Sequence, residues 1–158
     1  MNNQSEKPGY GYQLKQGATS LTEAWDARRE SSHNHFMLGQ ITEWFYHDLA
    51  GIQPDPAAPG FKKVIIRPAI VGDLTWVRAS YRSLYGPIVS HWRRDGRTLS
   101  LSVTLPPNTT ATVLVPAAPG ATVTERLHDG KPLQPLRRDP QGVAFQIPSG
   151  HYEFRSTL

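Results

Sequence analysis

"TLSLSVTLPPNTTATVLVP", residues 98–116, decides the fold class. Leu99, Leu101, Val103 and Leu105 alternate with Ser and Thr, which is the period-two pattern of a strand with one buried and one wet face. "TLSLSVTLP" (98–106) and "TATVLVP" (110–116) read as two strands. Asn108-Thr109-Thr110 also fits the N-glycosylation acceptor pattern, but with no secretion signal it reads as the turn between them.

The same period extends in both directions. "FKKVIIRP" (61–68), "LTWVRASYRS" (74–83), "IVSHWRRDG" (88–96), "TVTERLHDG" (122–130), "GVAFQIP" (142–148) and "HYEFRS" (151–156) are short strand patterns. Asp95-Gly96 and Asp129-Gly130 are hairpin signals between them. Strands at this spacing predict an antiparallel β-sandwich of about seven or eight strands.

Before Pro54 the pattern changes. "NHFMLGQITEWFYHDLAGI", residues 34–52, places Met37, Ile41, Trp44, Phe45, Leu49 and Ile52 at helical spacing. Ser31, Ser32 or Asn34 can cap its start, and Ala50-Gly51 with Pro54 beyond gives a stop. The connector "GIQPDPAAPG" (51–60) is too rich in Pro and Gly for helix or central strand. The predicted protein is therefore mainly β, with an N-terminal extended arm and one long α-helix ahead of the sandwich. Residues 1–53 and 54–158 form its two parts.

Composition narrows the chemistry. The 158 residues include no Cys, which excludes disulfides, thiolate metal sites and a cysteine nucleophile. The net charge of +4 is scattered over Lys62-Lys63, Arg93-Arg94 and Arg137-Arg138, so it reads as a solvated surface, not a nucleic-acid footprint. No apolar run is long enough for a bilayer, and "MNNQSEKPG" lacks the apolar stretch of a secretory signal. The expectation is a soluble, cytoplasmic chain with no membrane or nucleic-acid partner and no cofactor.

Several constellations could carry function. In "GATSLTEAWDA" (17–27), Glu23 and Asp26 flank Trp25. Paired carboxylates can divide acid and base roles, and an indole suits a sugar face. Near a turn, however, carboxylates following a Thr are usually capping or solvated charge, and by spacing alone that reading is the stronger one. "HNH" (33–35) offers two alternating His but no third metal ligand at sensible spacing, so a helix-start or pocket histidine is the better reading. His91, His128 and His151 read as surface histidines, and Trp76, Tyr81 and Trp92 as core or rim aromatics of the sandwich.

Taken together, "GYGYQLKQGATSLTEAWDA", "SSHNHFMLGQITEWFYHDLAGIQPDPAAPGFKKVIIRP" and "ASYRSLYGPIVSHWRRDGRTLSLSVTLPPNTTATVLVPA" resemble the C-terminal part of bacterial α-L-rhamnosidases. The resemblance runs from about Gly9 to Ala117, with a looser tail beyond. It implies the end of an α/α toroid followed by a C-terminal β-sandwich. It also implies hydrolysis of terminal α-L-rhamnose by inversion. The family's general base falls on Glu23, its sugar-contacting histidine on His35, and the Trp beside the base on Trp25. Asp26 and Asn34 then support that loop, and the acid–base couple is not Glu23 with Asp26.

The tract that supplies the family's general acid has no counterpart in these 158 residues. The chain alone is therefore expected to be inactive, with a rhamnosyl glycan or glycoside as partner only once the site is completed. The aromatic face of helix 34–52 is expected to drive self-association. Two other readings stand beside this one. One is an accessory carbohydrate-binding sandwich using Trp76 or Trp92; the other is a subunit that completes a rhamnosidase site in trans.

Overall fold

The computed structural model describes residues 5–26, 30–125 and 133–158. Internal contacts divide the chain into two units, Met1–Glu43 and Trp44–Leu158.

The second unit is built on one mixed sheet. Its strands are β1 (Ile52–Pro54), β2 (Lys63–Ile66), β3 (Trp76–Ser83), β4 (Gly86–Asp95), β5 (Thr98–Pro116), β6 (Thr124–Glu125), β7 (Arg137–Asp139) and β8 (Gly142–Thr157). The order is β1-β2-β5-β4-β3, and β8 lies along β5 and also pairs with β6 and β7. All pairings are antiparallel except β2 with β5, which is parallel from Lys63↔Thr110 to Ile66↔Val113. The expected antiparallel sandwich thus contains one parallel ladder.

The two expected strands 98–106 and 110–116 are one strand of 19 residues, and 142–148 and 151–156 likewise merge into one of 16. Both fold at the same place. The ladder runs to Leu105↔Gly150 and resumes at Thr110↔Pro148, so four residues of β5 lie against Ser149 alone. Asn108 takes φ 61 there, which Asn tolerates better than most residues. The Thr109 hydroxyl donates to the Pro106 carbonyl at 2.7 Å. Asn108-Thr109-Thr110 is therefore a corner inside a strand, not a loop between two.

The corner makes the sandwich. Nine residues of straight strand would separate Phe145 from Phe154 by roughly 30 Å. Their rings lie 5.3 Å apart, so the two halves of β8 face each other. The first half of β5 pairs with β4 and the later half of β8, and its second half pairs with β2 and the earlier half of β8. Trp92, Ile88, Leu101 and Val103 from one layer meet Ile66, Val113, Val115 and Phe145 from the other in a single core. Each such side chain contributes about 1.5–3 kcal/mol by leaving water.

The alternation reads as expected along the first half of β5, where Leu99, Leu101, Val103 and Leu105 are buried and Ser100 is exposed. The Asp95-Gly96 turn also forms: Asp95 pairs with Thr98, and Gly96 takes φ 55 in the two-residue loop. β1 lies within the Pro-rich connector, at the sheet edge where proline is tolerated. β7 had no signal in the sequence. Asp129-Gly130 and His128 lie outside the described residues.

The long helix 34–52 is corrected. Helical backbone covers a 3-10 turn Phe36–Gln40, then α-helix Ile41–Trp44, then a π-helical turn Phe45–Leu49. It starts late because His35 is extended, its N–H donating to the Leu21 carbonyl at 3.0 Å. None of the expected caps Ser31, Ser32 or Asn34 occupies the N-cap, which is His35 without a side-chain cap bond.

The C-terminal end lies inside the second unit and is held by the sheet. The Trp92 indole donates to the Leu49 carbonyl at 2.8 Å, and the Ser90 hydroxyl donates to the Ala50 carbonyl at 2.7 Å. Gly51 (φ 72) then turns the chain into β1, so Ile52 pairs with Ile66 instead of continuing a helix face. Of the expected apolar face, Leu49 and Ile52 are buried, whereas Met37 and Trp44 are exposed.

The first unit holds α1 (Tyr10–Lys15) where an extended arm was expected. One and a half turns are too short for periodicity to reveal, and tertiary contacts of its side chains hold it in place.

Candidate functional site

Glu23, Trp25, Asp26, Asn34 and His35, the residues on which the family resemblance falls, all belong to the first unit. Segments 21–23 and 32–35 are joined by two backbone hydrogen bonds. The Glu23 N–H donates to the Ser32 carbonyl at 2.9 Å, and the His35 N–H donates to Leu21 as described. The Ser20 hydroxyl donates to the His33 carbonyl. This pairing brings the Glu23 and His35 backbones onto one small platform.

Glu23 is exposed, and its Oε2 accepts the Ser32 N–H at 3.3 Å. The carboxylate is held from one side by that N–H and open to solvent on the other. His35 is half-buried, and its ring stacks on Phe36 at 6.4 Å. Asn34 is exposed, its N–H donating to the Ser32 hydroxyl at 3.4 Å.

Trp25 is half-buried and meets the Tyr10 ring edge-on, with centroids 5.4 Å apart. The Tyr10 hydroxyl donates to the Leu38 carbonyl, tying α1 to the turn after His35. Asp26 is engaged from two sides. It accepts the Tyr12 hydroxyl at 3.1 Å and pairs with Lys7, whose ammonium also lies over the Tyr12 ring. Behind the loop, Gln13 is buried and donates to the Thr22 hydroxyl, which in turn donates to the Ala24 carbonyl at 2.6 Å. Thr22 is thus a buried brace of the loop.

α1 therefore supports the loop 22–26 through Tyr10, Tyr12 and Gln13. None of these had been singled out for a role, because a buried Gln–Thr pair leaves no periodic signal.

In the second unit, an open cleft of about 740 Å³ is lined by His47, Asp48, Gln53, Arg67, Arg94 and Gln141, among others. His47 Nδ1 lies 3.3 Å from Asp48 Oδ1, and Arg67 donates to Gln141 Oε1 at 2.7 Å. Trp92, weighed as an exposed aromatic, is completely buried, whereas Trp76 is 62% exposed. His151 is a surface histidine as read, but it has partners: Nδ1 lies 2.9 Å from the Thr104 hydroxyl and Nε2 lies 3.7 Å from Glu153. Among the described residues no group of three or more His, Asp or Glu is placed to hold a metal, and no helix is long and apolar enough to cross a membrane.

Comparison with known proteins agrees with this architecture. Residues 1–49 match the bacterial α-L-rhamnosidase six-hairpin glycosidase domain, and residues 51–128 match the bacterial α-L-rhamnosidase C-terminal domain. An α-L-rhamnosidase of Streptomyces avermitilis is 37% identical over 119 residues, covering 70% of this chain and 11% of that protein. One from Formosa agariphila is 31% identical over 161 residues, covering 94% of this chain and 17% of that protein. The solved α-L-rhamnosidase from Dictyoglumus thermophilum superposes with a TM-score of 0.82 at 29% identity, over 98% of this chain and 18% of its own. The Streptomyces avermitilis structure, complexed with L-rhamnose, superposes with a TM-score of 0.79 at 31% identity, over 96% of this chain and 15% of its own. The chain thus spans less than a fifth of the length of these relatives. It belongs to the bacterial α-L-rhamnosidase family, matching part of the six-hairpin domain followed by the C-terminal domain.

Proposed function

We infer that this chain carries the general-base side of an inverting α-L-rhamnosidase site, with Glu23 as the base. The match of residues 1–49 to a six-hairpin glycosidase domain carries this reading, since that stretch contains Glu23, Trp25 and His35. The exposed Glu23 carboxylate, oriented by the Ser32 N–H, fits a group that activates water. His35 contacts the sugar and Trp25 shapes the pocket. Asp26 and Asn34 support the loop, a role consistent with the hold of Tyr12 and Lys7 on Asp26.

Inversion needs a second carboxyl about 6.5–9.5 Å away that protonates the leaving oxygen. Asp26 is a poor candidate, because its Oδ1 already takes both a hydroxyl and an ammonium. The acid comes from another part of the six-hairpin domain, supplied in cis or in trans, and the substrate is a terminal α-L-rhamnoside of a glycan or glycoside. The 158 residues alone bind and position too little to turn it over. Incubated with an aryl α-L-rhamnoside, the purified chain releases no aglycone above the Glu23→Gln background; turnover abolished by that substitution would refute the inactivity.

Self-association of the chain belongs to the same reading. Trp44 and Tyr46 are each 39% exposed beside the half-buried Phe45. Sedimentation at high micromolar concentration should give a mass above the monomer that falls in a Trp44→Ser, Tyr46→Ser double variant; a strictly monomeric chain argues against it.

A further inference from the structure

The outward face of the β3-β4-β5-β8 layer carries a second candidate site, independent of Glu23. Strand register lines up two rows across it. One runs Trp76↔Arg93↔Ser100↔Arg155, and the next runs Arg78↔His91↔Ser102↔Glu153. The inward neighbours Trp92, Leu101 and Phe154 are buried, so these rows point to solvent. With strands about 4.8 Å apart, the first row spans roughly 14 Å. Two shallow clefts of about 600 and 240 Å³ adjoin this face, and both are lined by His91 and Arg93. The larger includes Trp76 and the smaller includes Arg155.

The chemistry of the rows is asymmetric. Arg78, Arg93 and Arg155 make no ion pair and no side-chain hydrogen bond among the described residues. Among the described residues the acidic groups near them are Glu153, which faces His151 at 3.7 Å, Asp95 at the turn, and Glu125, which pairs with Phe154 beside Arg155. The face therefore presents three unpaired guanidinium forks, a hydroxyl row and one bare indole. Planar guanidinium matches the two oxygens of a carboxylate. An exposed indole at one end offers a flat apolar surface for the C–H face of a pyranose ring.

We propose that this face binds a carboxylated oligosaccharide, with Trp76 stacking on one sugar ring and Arg93, Arg78 and Arg155 engaging uronate groups along the chain. Single-stranded nucleic acid is less well matched, because it calls for several stacking aromatics in succession, and among the described residues of these rows Trp76 is the one large ring beside the imidazole of His91.

Affinity electrophoresis of the full chain through gels containing polygalacturonate tests this. Retardation is expected, with binding weakened about tenfold or more in Trp76→Ala, as when a stacking ring is removed, and comparably in Arg93→Ala. Because both side chains are exposed, unchanged thermal midpoints will show that the variants are folded. Parallel gels with neutral dextran, a sulfated dextran and single-stranded DNA should retard the chain less. No retardation by polygalacturonate overturns the proposal, and so does retardation that Trp76→Ala leaves intact. Equal or stronger retardation by neutral dextran removes the role of the arginines. Equal or stronger retardation by sulfated dextran or DNA, with the same dependence on Trp76 and Arg93, reassigns the ligand. Loss of rhamnosidase chemistry at Glu23 moves none of these readouts.

Discussion

The indole N–H of Trp92, buried in the β4 layer, donates to the main-chain carbonyl of Leu49 at 2.8 Å. One side chain thereby fills the core and satisfies a helix-end carbonyl that has no partner within its own helix. Trp92→Phe keeps most of the ring and leaves that carbonyl unpaired. The expected loss is about 1–3 kcal/mol in urea unfolding at an unchanged slope. Trp92→Ala, which also opens a cavity, should cost about 3–5 kcal/mol.

The fold of β8 on itself rests on Phe145 and Phe154. Each truncation to Ala should destabilise by about 3–5 kcal/mol. Because the rings touch, the double variant should lose less than the sum, with a coupling of about 0.5–3 kcal/mol. Strict additivity in a double-mutant cycle would mean that the two halves of the strand do not share a core.

Gly51 and Gly96 separate conformational strain from collision. Both have positive φ, yet a Cβ on Gly51 would lie 2.2 Å from the Arg67 carbonyl carbon, whereas nothing stands within 4 Å of one on Gly96. Gly96→Ala should cost about 1–2 kcal/mol, the left-handed penalty alone. Gly51→Ala must also displace the β2 end of the chain, and should cost more than Gly96→Ala in thermal or denaturant unfolding.

The alternation of Leu99, Leu101, Val103 and Leu105 made the layer legible in the sequence, and Asp95-Gly96 fixed its hairpin. The corner at Pro106–Thr109 was legible as a break but not as a fold within one strand, because Pro, Asn and Thr serve both. Trp76 and Trp92 look alike in sequence and differ only by face: Trp76 pairs with Arg93 on the wet side, and Trp92 with Val77 on the dry side. The helix was overextended because Ile52 fits a 3.6-residue period as well as it fits an edge strand. Glu23, Trp25 and His35 stood out through family resemblance, while the Tyr10, Tyr12 and Gln13 braces depend on tertiary neighbours that spacing does not encode.

Glu23 is proposed as the base of a rhamnosidase site that this chain holds only in part. The most direct measurement joins the chain to the remainder of such an enzyme, by replacing the corresponding segment of the Streptomyces avermitilis α-L-rhamnosidase with it and following hydrolysis of an aryl α-L-rhamnoside. The chimera should turn over, and Glu23→Gln should lower kcat by about 10²–10⁴-fold, the usual worth of a positioned acid or base. Asp26→Asn should cost far less. A folded, active chimera in which Glu23→Gln turns over as fast as the parent would contradict the assignment.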